Sequence, residues 1–159
     1  MTAALGLGTN LGDRLSNLRV ALRLLGETFT ILETSDVFET APWGVTDQPF
    51  FLNACLSMEC EATPEALLER VKAIEEKMGR RETRRWGERV IDIDILLMGS
   101  LVYDAPGLRV PHADMHRRAF VLVPLAQILP GWVHPTGQTA ASLAERASAS
   151  DAPVRVCRL

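Results

Sequence analysis

The chain has 159 residues, 47% of them hydrophobic and 23% charged, with a formal net charge of −3. This is the scale of one soluble globular domain, large enough to bury a core without disulfide or metal staples. The slight acidity excludes a global electrostatic pull toward nucleic acid or an anionic membrane, and no apolar run reaches the length of a spanning helix.

The opening "TAALGLG" (2–8) is apolar and closed by glycines, which predicts a first strand. Leu15, Leu18, Leu22 and Leu25 then recur at helical spacing, with Gly26 expected as the residue that ends the helix. "FTILETSDVFET" (29–40) and "FFLNACLSMEC" (50–60) alternate as strands do and are expected to pair antiparallel. The connection "APWGVTDQP" (41–49) is longer than a hairpin needs and carries an aromatic residue, a pattern common in functional loops.

Thr63-Pro64 supplies an N-cap hydroxyl and a first-turn proline for a second helix. Leu67, Leu68, Val71, Ile74 and Met78 form its apolar face, and Gly79 ends it. Residues 90–97 read as a strand. A short edge strand, a loop and a third helical region follow, in which Pro124 is expected to limit or kink the helix. "TAASLAERASAS" reads as a short surface helix, and residues 131–159 carry no interpretable motif. The order β-α-β-β-α-β predicts an α+β, ferredoxin-like sandwich: one domain over 1–159, an antiparallel sheet with flanking helices.

Cys55, Cys60 and Cys157 show no metal-ligand spacing, and "MTAALGLGTN" lacks the charged and apolar regions of a signal peptide. A reducing cytoplasm is the expected setting. With no exposed apolar stripe in the pattern, a monomer is expected.

The chemistry concentrates in "KMGRRETRRWGERVIDIDILLMG" (77–99). Arg80, Arg81, Arg84, Arg85 and Arg89, with Lys77, face only Glu82 and Glu88 before the strand begins. Arginine forks bind phosphate oxygens bidentately and stay charged. Asp92 and Asp94 then stand two residues apart, on one face of a strand whose other face is Ile91, Ile93 and Ile95. Two carboxylates on one face suit Mg²⁺, which takes oxygen ligands and completes its shell with water and substrate phosphates. Taken separately, a solvated basic loop and a solubilising D-x-D would be the simpler readings. Adjacent, they describe a phosphoryl-transfer site. No Walker loop is present, and "GLGTNLG" misses the dinucleotide fingerprint by one position, so it reads as a tight strand-to-helix turn.

"RRWGERVIDIDILLMG" resembles the signature of the 6-hydroxymethyl-7,8-dihydropterin pyrophosphokinase family of the folate pathway. "GLGTNLGD", "ETAPWG…DQPFFLNA" and "VPHADMHRRAFVLVPL" agree with it in order and spacing, over about residues 3–130. The resemblance implies a ferredoxin-like fold and transfer of pyrophosphate from ATP to the pterin hydroxymethyl group, with AMP released. It implies two Mg²⁺ ions held by Asp92 and Asp94, with Arg80 and Arg89 also serving catalysis. ATP contacts would fall on Leu68, Lys72, Glu75, Arg80, Trp86, Arg89, Ile95, His112 and Arg118, with Ile95 lining the adenine pocket. Arg81, Arg84 and Arg85 would close over ATP. Pterin contacts would fall on Thr40, Pro42, Trp43, Phe51, Asn53 and Phe120. The partners implied are these small molecules, with no nucleic acid and no membrane.

Four positions depart from the family pattern: Glu88 for proline, Ala113 after His112, Thr9 for serine, and Trp43 for a smaller apolar residue. None removes an implied metal ligand. Two other functional classes compete for the same residues. A binding module docking its basic loop on an acidic partner would need aromatics interleaved with basic residues, and only Trp86 qualifies. A two-metal nuclease would need further acidic ligands beside the aspartates.

Overall fold

Thr2–Thr9 (β1) is flanked on both sides in a six-stranded sheet. A computed structural model describes residues 1–42, 44–80 and 87–159. After β1 come Arg14–Thr28 (α1), Ile31–Thr34 (β2), Asp36–Thr40 (β3), Phe51–Glu59 (β4), Pro64–Lys77 (α2) and Asp92–Met98 (β5). Tyr103–Ala105 (β6) and Leu108–Val110 (β7) form a separate two-stranded hairpin. Ala119–Ile128 (α3), Ala140–Ser148 (α4) and Val154–Arg158 (β8) complete the chain. Among the described residues the sheet order is β5-β1-β4-β3-β8, with β2 also pairing β4, and all strand pairs are antiparallel, as the sequence predicts.

Side-chain alternation divides the sheet into two faces. Leu5, Leu7, Ile93 and Ile95 pack with Leu18, Ala21 and Leu25 of α1 and with Leu67, Val71 and Ile74 of α2. Each such buried aliphatic side chain contributes roughly 1.5–3 kcal/mol. Ala4, Cys55, Leu96 and Leu97 face the other way, against Val121, Leu125 and Ile128 of α3 and Ala140 of α4. Ladder pairing of β5 with β1 slips between Ala4 and Leu5, so Leu96 and Leu97 both join this second core before Met98 returns to the first.

Local chemistry sets the element ends. Asp13 caps α1 by accepting from Ser16 N at 3.1 Å, and Thr63 caps α2 by accepting from Ala66 N at 3.2 Å. Gly26 does not end α1. The helix continues to Thr28 because Leu24 and Leu25 are buried and the Phe29 N–H closes the last turn onto the Leu25 carbonyl at 2.8 Å. The expected strand 29–40 is two strands broken at Ser35. There the serine hydroxyl enters the ladder, accepting the Cys55 N–H at 2.8 Å. Pro124 lies inside α3 without ending it. The helix runs four residues beyond, although Pro124 has no N–H for the Phe120 carbonyl.

β8 was not legible in the sequence. It pairs with β3, and Arg155 Nε reaches Asp36 Oδ2 at 2.9 Å. Gln127 of α3 donates to the same Asp36 oxygen at 3.0 Å and accepts the Asp36 N–H at 2.8 Å.

Candidate active site

α3 and α4 cover only part of their face of the sheet. The remainder is the floor of a cleft that opens to solvent. Strand register lays its polar groups out in rows: Asp92 opposite Gly8 and Gly8 opposite Asn53, then Asp94 opposite Gly6 and Gly6 opposite Cys55. Glycines on the middle strand leave the floor bare between carboxylates on one side and an amide on the other. A Cβ at Gly8 would lie 3.2 Å from Asn53 Oδ1.

Phe51, Asn53 and Cys55 alternate onto this face of β4, and Thr40 ends β3 beside them. Asn53 Nδ2 donates to Thr40 Oγ1 at 2.9 Å, which fixes the amide with Oδ1 above Gly8. Phe120 and Arg118 enter from the first turn of α3, the Arg118 guanidinium 5.8 Å from the Phe120 ring centre. Arg89 completes the rim.

Electrostatics single out the aspartates. Burial raises Asp94 from 3.8 to about 7, and the neighbouring Asp92 and Glu75 carboxylates push the same way against Arg118 and Arg80. Crowded acidic oxygens of this kind are relieved by a cation, so the donor set fits a hard, oxygen-loving ion such as Mg²⁺. Among the described residues no three His, Cys, Asp or Glu side chains converge on one point.

Further groups stand along the outer edge of β5. Arg80 Nη1 lies 3.2 Å from Asp92 Oδ1 and 2.5 Å from Glu75 Oε2. The His112 N–H donates to the Leu96 carbonyl at 2.9 Å, and its Nδ1 accepts the Asp114 N–H at 3.3 Å, which puts the ring proton on Nε2. Burial lowers the His112 pKa, and the Arg118 charge lowers it further. Leu68, Lys72 and Glu75 share one stripe of α2 at i, i+4 and i+7. Leu68 is half-buried against the main core and Lys72 is exposed.

The cleft thus gathers Thr40, Phe51, Asn53, Arg89, Asp92, Asp94, Arg118 and Phe120 from four separate stretches of sequence. Ile95 is not brought to it. Its side chain points to the opposite face and is 5% exposed within the α1–α2 core, as alternation from Asp94 requires. Pro42 is buried next to Thr40 and does not line the cleft. The expectations for Trp43, Arg81, Arg84, Arg85 and Trp86 lie outside the described residues.

Sequence reasoning passed over Asn10, reading it only as part of a turn, and met Thr9 only as a departure from serine. Thr9 Oγ1 donates to the Val90 carbonyl at 2.6 Å. The Asn10 N–H donates to the Arg89 carbonyl at 3.0 Å, Asn10 Oδ1 accepts the Arg89 N–H at 2.8 Å, and Nδ2 donates to Gln48 Oε1 and the Pro49 carbonyl. One buried amide therefore holds the entrance to β5 and the end of the 41–49 loop together. A short polar side chain placed directly after an apolar strand was the available signal.

The family description 7,8-dihydro-6-hydroxymethylpterin-pyrophosphokinase matches residues 4–130, four-fifths of the chain and every strand and helix that lines the cleft. The chain belongs to this family. It is therefore a pyrophosphoryl transferase of folate synthesis, with hydroxymethyldihydropterin as the family's acceptor. The 2-amino-4-hydroxy-6-hydroxymethyldihydropteridine pyrophosphokinase of Haemophilus influenzae is 38% identical over 148 residues, 92% of both chains. The protein of that name from Methylorubrum extorquens is 45% identical over 133 residues, covering 82% of this chain and 84% of its own. A crystal structure described as HPPK-DHPS in complex with substrates superposes with a TM-score of 0.73 at 17% identity. It covers 94% of this chain and 44% of that one, and it bears on fold alone. The chain spans less than half of that solved protein. No helix among the described residues is long and apolar enough to cross a membrane.

Proposed function

We propose that this pyrophosphokinase takes ATP as donor, transfers its β- and γ-phosphates to 6-hydroxymethyl-7,8-dihydropterin, and releases AMP. The hydroxymethyl oxygen attacks the β-phosphorus, the bond from that phosphorus to the α-bridging oxygen breaks, AMP leaves with that oxygen, and the hydroxyl proton is released. The row Asp92–Gly8–Asn53 carries the reading, because it sets a carboxylate and an amide across a floor only backbone high. A flat heterocycle can lie on that floor between Phe51 and Phe120, with its donor edge at Asn53 Oδ1. Its hydroxymethyl group is then directed toward the aspartates.

Asp92 and Asp94 would hold two Mg²⁺ ions. When bound, these supply charge neutralisation on the transferred group and alignment of hydroxyl and phosphorus. Arg89 and Arg118 clamp phosphate oxygens from the rim, and neutral His112 donates from Nε2. Arg80 screens Asp92, and Leu68 and Lys72 flank the nucleotide along α2. Thr40 holds Asn53, while Pro42 packs beneath the pterin loop. The same reading has the described chain act as one catalytic domain, monomeric and cytoplasmic.

A Mg²⁺-dependent assay of AMP release in the presence of the dihydropterin tests it. ADP as product, or turnover indifferent to the pterin, would overturn it. Gel filtration with light scattering checks the monomer.

A further inference from the structure

β5 is an edge strand, and an edge strand leaves one row of backbone N–H groups without sheet partners. One of these belongs to Ile93, the residue between the two aspartates. Its N–H donates to Glu75 Oε2 at 2.9 Å. Glu75 is 6% exposed, and the same oxygen accepts from Arg80 Nη1, which also lies 3.2 Å from Asp92 Oδ1.

The end of α2 explains how these groups meet. Gly79 takes φ +86°, the left-handed conformation that glycine tolerates best, and turns the chain back. The Arg80 N–H then bonds the Glu75 carbonyl at 3.0 Å and the Gly79 N–H bonds that of Glu76 at 2.9 Å. Arg80 is thereby tied to Glu75 through backbone and side chain together. α2 itself is held by Leu67, Val71 and Ile74 in the main core, so Glu75 is presented from a rigid support.

We propose that Glu75 is a positioning residue for the metal-binding pair: it fixes the Asp92–Ile93 peptide, and with it the stretch of strand between the two aspartates, and through Arg80 it fixes the Asp92 carboxylate. This rests on the function proposed above and replaces a direct Glu75–ATP contact. A carboxylate whose oxygen already serves a backbone amide and a guanidinium acts as a brace, and small displacements of metal ligands cost heavily in binding and rate. Glu75 is no third ligand, because it does not converge with the two aspartates on one point.

The test begins without substrate. Amide exchange at Ile93 is followed by NMR in ¹⁵N-labelled wild type, Glu75→Ala, Glu75→Gln and Glu75→Asp, with Leu5 and Leu56 as core references. In Glu75→Ala and the shorter Glu75→Asp, Ile93 exchange should accelerate by about tenfold or more while the references stay protected. Glu75→Gln keeps an acceptor and should retain protection. In the AMP-release assay the Ala variant should need roughly tenfold more Mg²⁺ for half-maximal rate, with the pterin KM within about twofold of wild type. The Gln variant should recover part of that loss.

Unchanged Ile93 exchange in both Ala and Asp variants would overturn the proposal. So would a rise confined to the ATP KM with unchanged Mg²⁺ dependence, since that marks a nucleotide ligand. A wild-type enzyme inactive on the dihydropterin would overturn the functional reading alone, because the exchange measurement decides the brace without substrate.

Discussion

Asn10 and Gln48 meet side chain to side chain at 2.8 Å, and both are buried. Asn10→Ala would strand the Arg89 N–H and remove the side-chain link to Gln48 and the Pro49 carbonyl. A stability loss on the order of 1–3 kcal/mol is expected, read from denaturant unfolding. Because the same amide touches the ends of both substrate loops, KM should rise for ATP and for the pterin together. A rise for one substrate alone would show that the loops are held independently.

Asp94 makes the metal-free protein sensitive to pH. Its folded pKa of about 7 exceeds the reference 3.8, so between those values the folded state binds the proton more tightly than the unfolded state does. Stability contributed by this group is full below about 3.8 and declines as pH rises through 7. Asp94→Asn should remove that decline: in EDTA, its melting temperature relative to wild type rises from pH 5 to pH 8. A constant offset across that range would contradict the assignment. The same variant should lose turnover while remaining folded.

Gly8→Ala tests the bare floor. The added methyl would sit 3.2 Å from Asn53 Oδ1, closer than most Cβ contacts, and Asn53 would have to give way. Pterin KM should rise on the order of tenfold, about 1.4 kcal/mol, with ATP binding and melting temperature little changed. An equal loss for both substrates would place the pterin elsewhere.

Phe120→Ala removes one aromatic wall of the cleft. Pterin affinity should fall by roughly tenfold from lost stacking and contact area, while titration with a non-hydrolysable ATP analogue changes little. A weakened nucleotide with an intact pterin site would reverse the assignment.

Cys55 lies in the cleft, yet burial, reinforced by the Asp94 charge, drives its thiol pKa far above the usual range. Limited alkylation at pH 8 with peptide mapping should modify the half-buried Cys157 before Cys55 or the buried Cys60. Early labelling of Cys55 would mean that its surroundings are wetter than described.

Much of the fold follows from local pattern: Thr63-Pro64 starts α2, and Ile91, Ile93 and Ile95 turn inward as alternation requires. The cleft residues were reachable because each sits in a contiguous motif. What local pattern could not supply depends on distant partners. Gly26 stays helical because of burial around it, and Ser35 breaks a strand by bonding Cys55 twenty residues away. β8 exists through Asp36, Gln127 and Arg155, three residues that nothing in the linear order connects. Ile95 shows what alternation settles by itself: its side chain turns into the α1–α2 core while Asp92 and Asp94 face the cleft.

The slip beside Leu96 splits β5 into two stretches that can change separately. Upstream, any substitution that rotates the strand would swing the carboxylates out of the cleft. Downstream, aliphatic replacements at Leu97 or Met98 are absorbed by one helical layer or the other without turning Asp92 or Asp94. Natural variation and library design should therefore tolerate hydrophobic drift in the second stretch, while a one-residue deletion between Asp92 and Asp94 would turn one carboxylate into the α1–α2 core and abolish chemistry and packing together.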